Sequence, residues 1–77
     1  MSTMVLDCRG MLCPRPIIEL AKALPSVPLA SLIEVIADDA AAAVDIPAWC
    51  RMRSQEYVGA SARADDGSTT YTIRRVA

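Results

Sequence analysis

Five prolines, at positions 14, 16, 25, 28 and 47 of a 77-residue chain, fix where its helices can begin and end. Inside a helix a proline deletes a donor and clashes with the carbonyl four residues back; in the first turn its missing N–H costs nothing. Pro14 and Pro16 therefore mark a helix start, and a helical period follows. Ile17, Leu20, Ala21 and Leu24 form one stripe, with Arg15, Glu19 and Lys22 opposite, so a helix is expected over Pro14–Leu24. The spacings Arg15–Glu19 and Glu19–Lys22 allow weak ion pairs. Pro25 and Pro28, in "PSVP", end that helix. In "DDAAAAVDIPAWCRMR" the Ala run favours helix and Pro47 interrupts it. The conflict resolves with a helical turn at Ala40–Val44 and a main helix from Asp45. Asp45 is then the N-cap, Pro47 lies in the first turn, and Arg51 and Arg53 suit the far end of the dipole.

The remaining segments read as strands: Met4–Cys8, Ser31–Ala37, Glu56–Ala64 and Ser68–Val76. "DDG", Asp65–Gly67, is a hairpin signal between the last two. The order is β-α-β-α-β-β. It predicts an α/β fold, a two-layer α/β sandwich in which both helices cover one face of a four-stranded mixed sheet. The length suits a single domain, residues 1–77. With one Trp, two Tyr and no Phe, its core must be aliphatic.

Composition removes several functions. Net charge is −1, with no basic excess and few aromatics to stack on bases, which argues against direct nucleic-acid binding. No apolar run reaches membrane-spanning length. The N-terminus lacks the pattern of a secretory signal, so a cytoplasmic protein with reduced thiols is expected. There is no His, hence no Ser-His or Cys-His pair and no His metal ligand. The three cysteines, spaced C-x4-C and then a gap of 36 residues, match no common zinc framework; no metal and no cofactor are expected.

Cys13 stands directly before the first two prolines. Read as the N-cap, it puts Pro14 at N1, Arg15 at N2 and Pro16 at N3, so the amides of Arg15 and Ile17 remain near the sulfur. Those donors, the helix dipole and the Arg15 guanidinium would all favour a thiolate, the nucleophilic form. The residues alone leave two readings open: a reactive sulfur at an exposed helix mouth, or an inert cap. Cys8, across a turn containing Gly10, could resolve or bridge Cys13, but a core-facing cysteine is favoured. Cys50, after Trp49, reads as core packing rather than a second reactive thiol. Asp38, Asp39 and Asp45 could form an acidic rim that meets a basic partner or serve as turn and cap groups, with capping favoured for Asp45. Arg15 could steer a partner or pair with Glu19. Arg51, Arg53, Arg63, Arg74 and Arg75 are scattered and read as ordinary solvated surface.

"LDCRGMLCPRPIIELAKAL" resembles the opening of the TusA family, the SirA-like sulfur carriers, whose mark is Cys-Pro-x-Pro (the CPxP motif) preceded by Leu-Asp and a Gly. Leu6, Asp7, Gly10, Cys13, Pro14 and Pro16 fit. "VIADDAAAAVDIPAWC", Val35–Cys50, is similar to the family's second block, and "YTIRR" to its last strand. The resemblance implies the βαβαββ sandwich and a sulfurtransferase-type relay. Cys13 would accept sulfane sulfur as a persulfide from a donor, a cysteine desulfurase or rhodanese-type protein, and pass it to an acceptor protein. Gly10, Pro14, Arg15 and Pro16 would support that sulfur. Two other classes stay open: a redox-responsive regulator toggling Cys8 and Cys13, and an interaction module without sulfur transfer. The chain departs from the family pattern in "SQEY", which lacks a Gly-His pair, in the proline-rich "PSVPLAS", and in Cys8 and Cys50, thiols that only some members have.

Overall fold

Along residues 32–37, Ile33, Val35 and Ala37 are buried while Leu32, Glu34 and Ile36 are half-exposed, the alternation of a strand with one face covered. A computed structural model describes residues 3–77. Its elements are β1 (Thr3–Asp7), α1 (Arg15–Ala23), β2 (Leu32–Ala37), α2 (Ala42–Arg53), β3 (Glu56–Ala60) and β4 (Thr69–Arg74), with a 3-10 turn at Leu24–Ser26 closing α1. The sheet order is β1-β2-β4-β3. β1 runs parallel to β2, and β4 pairs antiparallel with both β2 and β3. Parallel neighbours need a crossover, and α1 supplies it. The expected mixed sheet and two-layer α/β sandwich are therefore present.

The buried cluster lies between the layers. Ile33, Val35, Tyr71 and Ile73 of the sheet meet Leu20 and Leu24 of the first helical segment and Ile46, Trp49 and Cys50 of α2. Aliphatic side chains do most of the filling, as the scarcity of aromatics requires.

Several boundaries differ from the sequence expectation, each for a local reason. Pro14, not Cys13, is the N-cap of α1, and Pro16 is in its first turn. The Arg15 amide donates to the Leu12 carbonyl at 2.8 Å, so a turn precedes the helix and Cys13 lies inside that turn. α2 starts at Ala42, so Asp45 is in its first turn rather than its N-cap, and Pro47 is inside the helix. The early start follows a turn at Asp39, whose side chain accepts the Ala41 amide at 3.1 Å and whose carbonyl accepts the Ala42 amide at 3.0 Å, while the N-cap, Ala41, makes no side-chain cap. Pro47 then removes one backbone bond near the start of a 12-residue helix that Ile46 and Trp49 anchor in the core.

β3 ends at Ala60, earlier than expected, and its register against β4 shifts between Tyr57 and Gly59. The turn itself falls at the "DDG" signal: the Gly67 amide donates to the Ala64 carbonyl at 2.9 Å. Arg9 ties that tip to β1, bonding Asp7 through two nitrogens at 2.9 and 2.7 Å and Asp66 at 3.3 Å. Hydrogen bonding to Arg9 lowers the Asp7 carboxyl to about 2.

Arg75 is not ordinary surface. One of its nitrogens donates to the carbonyls of Val27 at 2.7 Å, Leu24 at 3.3 Å and Pro25 at 3.4 Å. It holds the segment after α1, where Pro25 and Pro28 have removed backbone donors. Arg74 bonds the Ala30 carbonyl at 2.9 Å and lies 3.4 Å from Glu56.

Candidate functional site

The loop from β1 to α1 carries Cys13 and is fastened to the loop between β2 and α2. Both start at the ends of parallel neighbours β1 and β2, so the topology sets them side by side. The Gly10 amide donates to both carboxylate oxygens of Asp38 at 3.0 Å. The Cys13 amide donates to Asp39 at 2.7 Å. Gly10 has φ of +80°, the left-handed region that favours glycine. An added Cβ there would meet nothing within 4 Å, so Gly10→Ala carries backbone strain without a clash. Its expected cost is about 1 kcal/mol, read from urea denaturation; an unchanged midpoint would refute it.

Asp39 therefore holds two elements, the start of α2 and the Cys13 backbone. The Cys13 amide first, and the Ala41 amide second, pull its carboxyl below the ordinary carboxylate range. A group whose folded pKa lies below its unfolded value supports the fold fully above the unfolded value and loses that support as pH falls through the folded one. The Cys13 loop is thus expected to loosen below about pH 4. Hydrogen exchange at the Cys13 amide would report it, and Asp39→Ala should remove the acid transition. The same transition in that variant would contradict the assignment.

The Cys13 side chain is exposed. Its Sγ donates to Oδ2 of Asp45, 2.9 Å away on the first turn of α2. That carboxylate bond, then desolvation, then the negative charges of Asp45 and Asp39, push the thiol above its ordinary pKa. The expectation of a thiolate ringed by amides is therefore corrected: the Arg15 amide is turned away to Leu12, and a carboxylate faces the sulfur instead. Arg15 is exposed and forms no ion pair within 4 Å among the described residues; Glu19 pairs with Lys22 at 3.8 Å.

The sulfur opens onto a groove between the helices of about 350 Å³. Pro14 and Ile17 of the α1 side face Ala48, Trp49 and Met52 of α2 across it, with Asp45 beside Cys13. Positions 45, 48, 49 and 52 are spaced i, i+3, i+4, i+7, one face of a helix. Met52 is 73% exposed, and the Arg53 guanidinium lies 5.7 Å from the Trp49 ring centroid. Sequence reading names Cys13, Pro14 and Asp45 of this groove and weighs Asp39 as an acidic-rim or turn residue, but it does not single out Ile17, Ala48, Trp49 or Met52 as site residues. The stripe after Asp45 is the signal that carries them.

The other thiols are elsewhere. Cys8 and Cys50 are each 1% exposed, and all three cysteines are free. Burial raises both buried thiols, Cys50 to about 11. Among the described residues no group of His, Cys, Asp and Glu could hold a metal ion, and no helix is long and apolar enough to cross a membrane.

The chain is similar to known proteins. A family model described as Sulfurtransferase TusA matches residues 4–75. The sulfur carrier protein TusA of Pseudomonas savastanoi pv. phaseolicola is 34% identical over 71 residues, 92% of this chain and 82% of that protein. YrkF of Bacillus subtilis is 31% identical over 64 residues, 83% of this chain but 35% of its own length, so the chain spans about a third of it. A crystal structure of a SirA-like protein from Desulfitobacterium hafniense superposes with a TM-score of 0.78 at 21% identity, covering 96% of this chain and 99% of that one, and shows the shared fold. With the family model spanning both helices and all but the first residue of the sheet, the chain belongs to the TusA family.

Proposed function

We propose that this protein is a sulfur carrier whose Cys13 accepts sulfane sulfur as a persulfide and passes it to an acceptor protein. The observation that carries the reading is exposure: of three free thiols, Cys13 alone is at the surface, at the head of an apolar groove. The TusA-family membership and the CPRP sequence support it. Residues 1–77 act as one carrier domain, in a reducing compartment such as the cytoplasm.

The chemistry is thiol–disulfide exchange extended by one sulfur. The Cys13 thiolate attacks the outer sulfur of a donor persulfide. A new S–S bond forms, the donor's S–S bond breaks, and the donor sulfur leaves with the electron pair as a thiolate. The proton of the donor's outer sulfur stays on the transferred atom. Delivery to an acceptor thiolate repeats the step in reverse order. The donor is a protein that itself carries a persulfide, such as a cysteine desulfurase or a rhodanese-type protein. Its reactive loop enters between α1 and α2, where the apolar walls exclude water from the exchange.

Incubation with a cysteine desulfurase and free cysteine, followed by intact mass measurement, tests the reading. One sulfur atom per chain, released by a reducing thiol, is the expected result. No gain of mass on the wild-type chain rejects it.

A further inference from the structure

The carboxylate beside Cys13 is an odd neighbour for a nucleophile. The Sγ–H bond to Asp45 Oδ2, 2.9 Å long, exists only while the sulfur is protonated. A thiolate in that place would face Asp45 from α2 and Asp39 from the β2–α2 loop, whose Oδ2 already takes the Cys13 amide. On the α1 side the charged residue is Arg15, which bonds neither carboxylate among the described residues. Asp45 is half-exposed and has no cation within 4 Å among those residues, so its charge is open to an incoming partner.

We propose that Asp45 is a lock on Cys13, keeping the unloaded thiol protonated and turned to α2 until a Lys or Arg side chain of the sulfur donor or acceptor protein pairs with Asp45 and frees the sulfur. The inference rests on the carrier reading above. Pairing takes the carboxylate out of the Cys13 bond and cancels its charge. The thiol then loses its proton to water, and the thiolate attacks as described. The exposed sulfur is thereby inert towards small electrophiles and reactive towards a partner that presents a cation beside its own persulfide. Asp45 acts here as a positioning residue, since it exchanges no atom with the transferred sulfur.

The test is the pH profile of Cys13 alkylation by iodoacetamide on the full chain, with the site read from peptide mass. Cys8 and Cys50 are buried and do not compete. Asp45→Asn should move the inflection to lower pH and raise the rate at neutral pH by about tenfold, as a one-unit fall in pKa would give. Asp45→Glu should keep the wild-type profile. Pentalysine at low salt should speed alkylation of the wild type and leave Asp45→Asn unchanged. A wild-type inflection above that of the peptide Leu12–Ile17 supports the lock without any variant, so misfolding of Asp45→Asn does not protect the proposal. A profile in Asp45→Asn identical to wild type, or equal acceleration of both by pentalysine, overturns it. Sulfur loading is scored separately: a chain that loads normally but shows no effect of Asp45 loses the lock alone. A chain with the expected profile that never loads loses only the carrier reading.

Discussion

Cys13→Ser takes up no sulfur from a cysteine desulfurase and cysteine, whereas Cys8→Ala and Cys50→Ala each still gain one atom per chain. Serine offers an oxygen where an S–S bond must form, so the effect is complete loss rather than slowing. The contrast with the other thiols follows from access and charge. Cys8 and Cys50 are sealed in the core, and burial raises both thiols, so neither supplies a thiolate at neutral pH. Trimming a buried cysteine to alanine leaves a small void, which the aliphatic core can survive. Intact mass before and after a reducing thiol makes the measurement. Sulfur retained on Cys13→Ser would assign the carrier role elsewhere.

The second large effect concerns Leu20, fully buried on α1 between the two layers. Leu20→Ala removes part of a core that has few large side chains to re-pack into the hole. The expected loss is about 3 kcal/mol. A domain of this size holds on the order of 4–12 kcal/mol in total, so the variant should unfold at much lower urea. Ile18, one turn-face away and 45% exposed, is the control: Ile18→Ala should stay within about 0.5 kcal/mol of wild type. Equal urea midpoints for the two variants would show that α1 does not depend on its inner face.

How much of this could be read from the residues depends on distance along the chain. The succession of strands and helices along the chain follows from periods of two and 3.6, which are local, whereas the sheet order β1-β2-β4-β3 does not. The prolines mark the start of α1 to within one residue, but the same rule misplaces α2, because it puts Pro47 in the first turn. The structure accepts it deeper, since the Asp39 turn leads into the helix earlier and Ile46 and Trp49 hold it down. Sequence alone sets Cys13 one residue too far into the helix, because propensity does not reveal that the Arg15 amide closes a turn onto Leu12. The electrostatic expectation failed for a different reason. Asp45 is 32 residues from Cys13 in sequence, and only the docking of α2 beside α1 brings its carboxylate to the sulfur. The role of Arg75 is likewise hidden, since its carbonyl partners Leu24, Pro25 and Val27 lie about 50 residues away in sequence. Local pattern finds elements; it does not find which charges the elements bring together.

The short helix behind Cys13 is held at both ends by groups from outside it. Asp38 and Asp39 grip the loop at its head, and Arg75 grips the carbonyls at its tail. Nine residues with no side-chain cap would be mostly coil in water. A graft of the Cys-Pro-Arg-Pro segment into another scaffold would therefore transplant the letters and leave the behaviour behind, because the groups that hold the helix and face the thiol come from distant stretches of chain.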